Sequence, residues 1–387
     1  MSTVATPRPN LTRDLLPGDE PLQLLAPSGE TAPGAVLPAD DALLDLYRRM
    51  VLGRRFDAQA TALTKQGRLA VYPSSHGQEA CEVGAVVALG EQDWLFPTYR
   101  DCMALIARGV DPVETLSLLR GDWHLGYDPY EHRVAPQCTP LATNTLHAVG
   151  LARAAAIKGE DTVALVFLGD GGTSEGDAHE ALNFAGVWKA PVVFLVQNNG
   201  YAISVPMSKQ NAAPSLAHKG IGYGVASMLI DGNDPAMVYA AVQSAVAAAR
   251  AGEGPTLIEA RTYRIEAHTN ADDATRYRSQ DEVLAWLARD PIDRLDRYLT
   301  ARGLLDAGGR DQAAAEAEAF ASSLRDRMNL DPELDPAALF EHVYAEPTPA
   351  LQRQAARLAA ELDFAPLEHA GEAAQRAAAG QSGDAGR

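Results

Sequence analysis

Cysteine is scarce in this chain. Cys81, Cys102 and Cys138 are its only three among 387 residues, and their spacing is unpaired. That pattern offers neither a disulfide framework nor a zinc site. Basic residues are also short: 33 Lys and Arg stand against 51 Asp and Glu, a net charge of −18. Such a balance excludes broad affinity for nucleic acid, while leaving room for a local basic pocket. No apolar stretch approaches the length of a membrane span. The first 37 residues lack the apolar core of a signal peptide. Arg8 and Arg13 would suit a transit peptide, but Pro7, Pro9 and Pro17 break an amphipathic helix, and Asp14, Asp19 and Glu20 are acidic. These absences point to a cytoplasmic protein with neither membrane nor nucleic acid as a partner. What remains is a chain 47% hydrophobic, enough for one large or two modest globular domains.

The most informative stretch runs from Thr162 to Tyr201. Thr162–Leu168 is a short apolar run, suited to a strand buried on both faces. It ends at Gly169-Asp170-Gly171-Gly172. Ser174 and Asp177 can cap a helix carrying Ala178 to Lys189, which Pro191 stops. Val192–Val196 is a second buried strand, ending at Gln197-Asn198-Asn199. A strand–helix–strand crossover is nearly always right-handed with parallel strands. Asp170 and Asn199 therefore share one carboxyl edge, where open α/β sheets bind ligands. That edge offers one carboxylate, one amide and main-chain carbonyls, a hard-oxygen set suited to Mg²⁺. A glycine-rich turn at a helix N-terminus adds N–H donors for a phosphate. Singly, Gly-Asp-Gly is an ordinary turn, and Asn199-Gly200 is a hairpin signal. The helix between the strands argues against a hairpin ending at Asn199, and the joint spacing suggests a Mg²⁺–diphosphate site.

The same residues carry a family resemblance. Gly169-Asp170-Gly171 followed by Asn198-Asn199 resembles the thiamin diphosphate signature. The longer text GDGGTSEGDAHEALNFAGVWKAPVVFLVQNNGYAIS is similar to the α subunit of 2-oxo acid dehydrogenase E1 components, over roughly residues 40 to 350. The branched-chain members resemble it most. The resemblance implies Asp170, Asn199 and the Tyr201 main-chain carbonyl as Mg²⁺ ligands, with Gly171 and Gly172 beside the diphosphate. It makes Tyr99 and Arg100 diphosphate ligands, a task suited to a planar, permanently charged guanidinium. Cys138-Thr139-Pro140-Leu141-Ala142-Thr143 matches a branched-chain stretch and implies cofactor contacts for Thr139 and Leu141. A K⁺ site through Thr143 and Asn144 stays open, because Cys138 is a poor K⁺ ligand. His268, in the polar loop 266–279, would contact the cofactor and assist proton transfer to lipoate, for which a near-neutral pKa is suited. Gln197 departs from some branched-chain relatives, which carry an arginine there for the diphosphate.

The implied partners are a β subunit in an α₂β₂ heterotetramer, supplying the glutamate that activates the cofactor, and a lipoyl-bearing E2 acyltransferase. The implied reaction is oxidative decarboxylation of a 2-oxo acid. Pyruvate or acetoin as substrate, and a non-catalytic scaffold homologue, are the alternatives. An NAD-binding reading fails on glycine spacing.

The rest of the chain divides by pattern. Residues 1–37, rich in proline, form a flexible or surface-draped arm. Residues 38–280 form the cofactor domain, of a doubly wound, mostly parallel α/β fold. Its first helix starts at Asp40 or Asp41 as cap, with Leu43, Leu46, Tyr47, Met50 and Val51 on one face, and Gly67-Arg68-Leu69 ends the next helical segment. Ser75-His76-Gly77-Gln78-Glu79 opens another, where Glu79 is a first-turn carboxylate favoured by the helix dipole. Residues 121–137 read as irregular. Asn233-Asp234-Pro235 starts a helix to about Arg250. Residues 281–368 form a helical C-terminal region and 369–387 a disordered tail.

Overall fold

Alternate residues of the two central apolar runs face different layers of helices, as the two-residue period of a strand requires. Leu165, Phe167, Val193 and Leu195 pack with Cys81, Ala85, Val238 and Val242. Ala164, Val166, Leu168, Phe194 and Val196 pack with Ala148, Ala152, Ala181 and Ala185. The sheet is therefore buried on both faces, which is why its strands read as unbroken hydrophobic runs. The computed structural model describes residues 16–332 and 335–363. The readings of the first 15 residues and of the tail lie outside them.

The strands are β1 (Trp94–Phe96), β2 (Ala164–Gly169), β3 (Val192–Asn198), β4 (Tyr201–Ala202), β5 (Val205–Pro206), β6 (Ala226–Asp231) and β7 (Thr256–Arg261). Five form a wholly parallel sheet in the order β1-β2-β3-β7-β6, while β4 and β5 make a small hairpin. Helices Thr143–Lys158 and Gly176–Trp188 cover one face, and Glu79–Val87 and Pro235–Arg250 the other. Winding reverses between β3 and β7, the switch point of a doubly wound fold. No helix among the described residues is long and apolar enough to cross a membrane.

Several local expectations need correction. Ala39, not an aspartate, holds the N-cap position of the helix Asp40–Lys65, and Asp40 and Asp41 lie in its first turn. That single helix of 26 residues precedes Gly67–Leu69, so there is no second segment for them to end. Ser174 and Asp177 cap nothing. A 3-10 turn, Gly171–Ser174, intervenes, and the helix starts at Gly176 behind Glu175. Asp177 instead accepts a hydrogen bond from the Thr143 hydroxyl at 2.9 Å. Within 121–137, Pro129–His132 forms a short helix capped by Asp128.

The chain divides into two compact units at Leu330/Asp331, not at residue 281. The reason is packing. Leu295, Leu299 and Ala313 share a buried cluster with Leu43, Leu46 and Met50, and Leu324 and Met328 share another with Phe56 and Leu63. The helices Gln280–Leu287, Pro291–Ala301 and Ala307–Met328 thus belong to the first unit. In the second unit, Ala338–Glu341 is a short helix and residues 349–363 are helical.

The described part of the N-terminal arm is docked on the sheet. Leu22 bridges Ile230 on the edge strand β6, exchanging bonds with Leu229 and Asp231. Pairing there removes an open strand edge. Asp234 ties the same segment down. One carboxylate oxygen caps the helix Pro235–Arg250 through the Ala236 and Met237 N–H groups. The other accepts from the Leu24 and Leu25 N–H groups at 2.6 and 2.7 Å. Asp234→Ala removes a cap worth about 1 kcal/mol and strands two further N–H donors at about 1–3 kcal/mol each. A loss near 3 kcal/mol is expected in urea denaturation. A loss under about 0.5 kcal/mol, the range of an ordinary surface substitution, would refute this tie.

Candidate active site

Three neighbouring strands deliver their carboxyl ends to one cavity of about 250 Å³. β1 runs into Thr98-Tyr99-Arg100-Asp101, a turn closed by Asp101, which accepts from the Thr98 N–H and hydroxyl at 2.6 Å each. β2 runs into Gly169-Asp170-Gly171-Gly172. Two of its glycines leave little room for a side chain. A Cβ on Gly171 would lie 2.7 Å from the Ala202 Cβ, and one on Gly172 would lie 2.6 Å from Leu168 Cδ1. β3 runs into Gln197, Asn198 and Asn199. The segment after β7, beyond the switch point, returns to add Arg264 and His268. A larger groove of about 530 Å³ shares only Tyr201 with this cavity. Its acids are already engaged, Glu259 by Asn198 and the Ala217 N–H, Glu282 by the Tyr201 hydroxyl.

Charge distribution defines the smaller cavity. Arg100 and Arg264 are 6% and 1% exposed. Their partners among the described residues are the carbonyls of Ser74, Tyr201, Ile203 and Glu266, the Tyr277 hydroxyl, and His268. None is a carboxylate. Burial and the nearby Arg100 pull the Arg264 pKa below its ordinary value. Opposite in charge is Asp170, 2% exposed, whose pKa burial pushes up. Gln210 donates to it at 2.8 Å, and the Gln210 carbonyl oxygen is buried with no partner.

His268 Nδ1 lies 3.1 Å from Arg100 Nη2 and 3.4 Å from Arg264 Nη1. A guanidinium only donates, so Nδ1 must accept and the ring proton sits on Nε2. Burial, then Arg100 and Arg264, lower the His268 pKa to about 4. The expected near-neutral value is thus corrected for the chain as it stands. An anion set against the two arginines would cancel much of their repulsion and raise it.

Of the residues singled out in the sequence, Tyr99, Arg100, Leu141, Asp170, Gly171, Gly172, Asn199, Tyr201 and His268 all line this cavity. Thr139 does not; it is exposed on the preceding turn. Thr143 and Asn144 also lie outside the lining. Asn144 donates to the Phe167 carbonyl at 2.9 Å, inside the fold. His76 pairs with Glu266 away from the lining, while Glu79 accepts from the Gly77 N–H and pairs with Arg54. Sequence reasoning missed Gln78, Glu175, Ile203 and Arg264, all of which line the cavity. An arginine in an apolar setting just after a buried strand was a usable signal for Arg264. Ile203 carried none: it turns the β4–β5 hairpin at φ 56°, an unfavourable conformation for a β-branched residue.

The donor set fits a hard cation and a polyanion. The Asp170 carboxylate, the Asn199 amide and the Tyr201 carbonyl offer oxygens of the kind a hard cation takes, and the orphaned Gln210 side-chain oxygen beside Asp170 would suit the hydration shell that Mg²⁺ retains. Among the described residues there is no cluster of three His, Cys, Asp or Glu that could hold a metal, so the softer metals have no all-side-chain site.

Comparison with known proteins shows what the chain is similar to. Residues 47–328 match the family described as dehydrogenase E1 component. The chain is 49% identical over 347 residues to the 3-methyl-2-oxobutanoate dehydrogenase subunit alpha of Mycobacterium tuberculosis, covering 89% of this chain and 94% of that one. It is 40% identical over 303 residues to the pyruvate dehydrogenase E1 component subunit alpha of Bacillus cereus, covering 77% and 81%. The corresponding Staphylococcus aureus protein is 39% identical over 304 residues, covering 78% and 82%.

The His268 geometry makes a pH prediction. Its folded pKa is depressed, so the unfolded chain binds more protons between pH 6.5 and 4. His268 then contributes stability above about pH 6.5 that is lost as pH falls toward 4. In ring-labelled NMR its midpoint should fall near 4. It should rise in Arg100→Met. A midpoint at the ordinary histidine value, unchanged by that substitution, would contradict the arrangement.

Proposed function

The chain belongs to the dehydrogenase E1 component family, and from that premise we propose that it is the α subunit of an E1 acting on branched-chain 2-oxo acids. The reaction is oxidative decarboxylation with thiamin diphosphate and acyl transfer to lipoate. The single observation that carries this reading is the cavity itself, where two buried arginines without carboxylate partners share a lining with the oxygen ligands Asp170, Asn199 and Tyr201. A diphosphate held together with Mg²⁺ would satisfy both halves at once. The 49% identity to a protein named for 3-methyl-2-oxobutanoate favours branched acids over pyruvate.

When bound, thiamin diphosphate supplies the nucleophilic carbon and the electron sink for loss of CO₂. The chain's own residues do the rest. Arg100 and Arg264 draw the diphosphate in and neutralise it, with Tyr99 beside them. Gly171 and Gly172 let main-chain N–H groups approach it closely. Asp170, Asn199 and the Tyr201 carbonyl would hold Mg²⁺. Leu141 gives apolar contact at the rim, while Thr139 is exposed outside the lining. His268, neutral with Nδ1 engaged by the arginines, offers Nε2–H as a hydrogen-bond donor. It would have a proton to lend during acyl transfer only as the imidazolium, which an anion set against the two arginines would favour. The complementary β subunit closes the site and brings the activating glutamate, in an α₂β₂ heterotetramer that works in the cytoplasm with a lipoyl-bearing E2.

The test is 2-oxo acid-dependent reduction of an artificial electron acceptor by this chain co-purified with its β subunit, thiamin diphosphate and Mg²⁺. One methylene in an apolar pocket changes kcat/KM by about 10–200-fold; 3-methyl-2-oxobutanoate carries two more carbons than pyruvate and should be favoured by at least about that factor. Preference for pyruvate would replace the substrate. Cofactor binding without turnover of any acid would replace the enzyme reading with a non-catalytic one.

A further inference from the structure

Two buried side chains, Gln78 and Gln197, connect the Asn199 amide to Asp101. Asn199 Nδ2 donates to Gln78 Oε1 at 2.9 Å. Gln78 Nε2 donates to Gln197 Oε1 at 2.7 Å. Gln197 Nε2 donates to Asp101 Oδ1 at 2.6 Å. Exposures are 6% for Asn199, 2% for Gln78, 3% for Gln197 and 0% for Asp101. Water therefore has little access to replace a misdirected bond.

We infer that Gln78 and Gln197 form a one-way hydrogen-bond relay, anchored on the Asp101 carboxylate, that dictates which atom of the Asn199 amide faces the metal. The inference rests on the reading of Asn199 as a Mg²⁺ ligand. An isolated buried amide could sit either way round, with oxygen and nitrogen exchanged. Here one end of the chain has no choice. Asp101 Oδ2 is occupied by the Thr98 N–H and hydroxyl, and a carboxylate has no hydrogen to offer at Oδ1. Gln197 must then turn its NH₂ to Asp101 and its oxygen to Gln78. Gln78 must turn its NH₂ to Gln197 and its oxygen to Asn199. Asn199 must spend its NH₂ on Gln78. Its oxygen, which takes one N–H bond from Tyr201 at 3.3 Å, keeps a second lone pair with no other protein donor among the described residues. Reversing any one amide creates a buried donor–donor or acceptor–acceptor clash, the kind of half-satisfied network that a low-dielectric site punishes.

The relay gives Gln197 a task that a cationic residue there could not perform. Gln78 needs an acceptor from position 197 and Asp101 needs a donor, and a single amide supplies both. A guanidinium supplies only donors. Gln78 and Gln197 are positioning residues in this account.

A double-substitution cycle tests it. The full chain, co-purified with its β subunit at saturating thiamin diphosphate, is titrated with Mn²⁺ and followed by electron paramagnetic resonance. Asp101→Asn keeps shape but reverses the anchor: Thr98 holds the new amide oxygen, its NH₂ faces Gln197, and the whole relay turns over. Mn²⁺ affinity should fall about 10–100-fold, the usual cost of disturbing an orienting partner behind a metal ligand. Gln78→Met cuts the relay and leaves Asn199 free to turn, for a smaller loss. In the double variant, Asp101→Asn should cost nothing beyond Gln78→Met. If Asp101→Asn costs the same factor in both backgrounds, its charge or packing is responsible and the relay is wrong. An unchanged Mn²⁺ affinity in Asp101→Asn overturns it equally. Should thermal melting show Asp101→Asn unfolded, Gln78→Met and Gln197→Met form a second cycle, because both cut the same chain. The relay predicts a double variant no weaker than the weaker single, and full additivity overturns it. Wild-type protein that binds no Mn²⁺ with the cofactor overturns the functional reading and the relay together, whereas wild-type binding with an additive cycle overturns the relay alone.

Discussion

Two guanidinium groups buried without a carboxylate are the constraint on which the rest of this site depends. Taking such a charge out of water is costly unless something compensates it. For Arg100 and Arg264 the protein provides carbonyl oxygens, a phenol and one imidazole nitrogen, all neutral. That is enough to fix their geometry and too little to cancel their charge. Everything nearby responds to the excess. His268 is driven to its neutral form with Nδ1 as acceptor. Asp170 is kept in the same cavity but bonded to Gln210 rather than to either arginine. Such a site suits an anion against the arginines, and on the proposed function that anion would reach Asp170 through a metal.

The fold makes this arrangement possible by bringing distant segments to one edge. β1, β2 and β3 each end in a short polar turn, and the chain after β7 crosses the switch point to close the cavity. Much of this was legible in the sequence. The continuous apolar runs at 162–168 and 192–196 require a sheet covered on both faces, and the clusters on each face show it. The pairing of Gly169-Asp170-Gly171 with Asn198-Asn199 needed only the parallel crossover to become a common edge. Local chemistry of that sort survives folding because it depends on near neighbours in the chain.

What was not legible depends on contacts far apart in sequence. The pKa of His268 is set partly by Arg100, 168 positions away. Nothing around His268 alone could announce a value near 4 rather than near neutrality. The 281–330 helices looked like an appendage by composition, yet Leu295 and Leu299 complete a core begun by Leu43 and Leu46. Gln197 read as a departure from a charged pattern. Its value emerges only when Gln78 and Asp101, 119 and 96 positions away, stand on either side of it. On the proposed function, an amide there in place of a charge would leave diphosphate neutralisation to Arg100, Arg264 and the metal.

The central claim is that the arginine wall and the oxygen ligands act on one shared ligand. Calorimetric titration of thiamin diphosphate into the chain with its β subunit, with Mg²⁺ and then with a chelator in its place, tests this most directly. If one ligand bridges both halves, removing the metal leaves a diphosphate facing the Asp170 carboxylate, and affinity should fall by about 100-fold or more, some 2.7 kcal/mol. Equal affinity with and without Mg²⁺ would mean that the arginines and Asp170 serve different ligands.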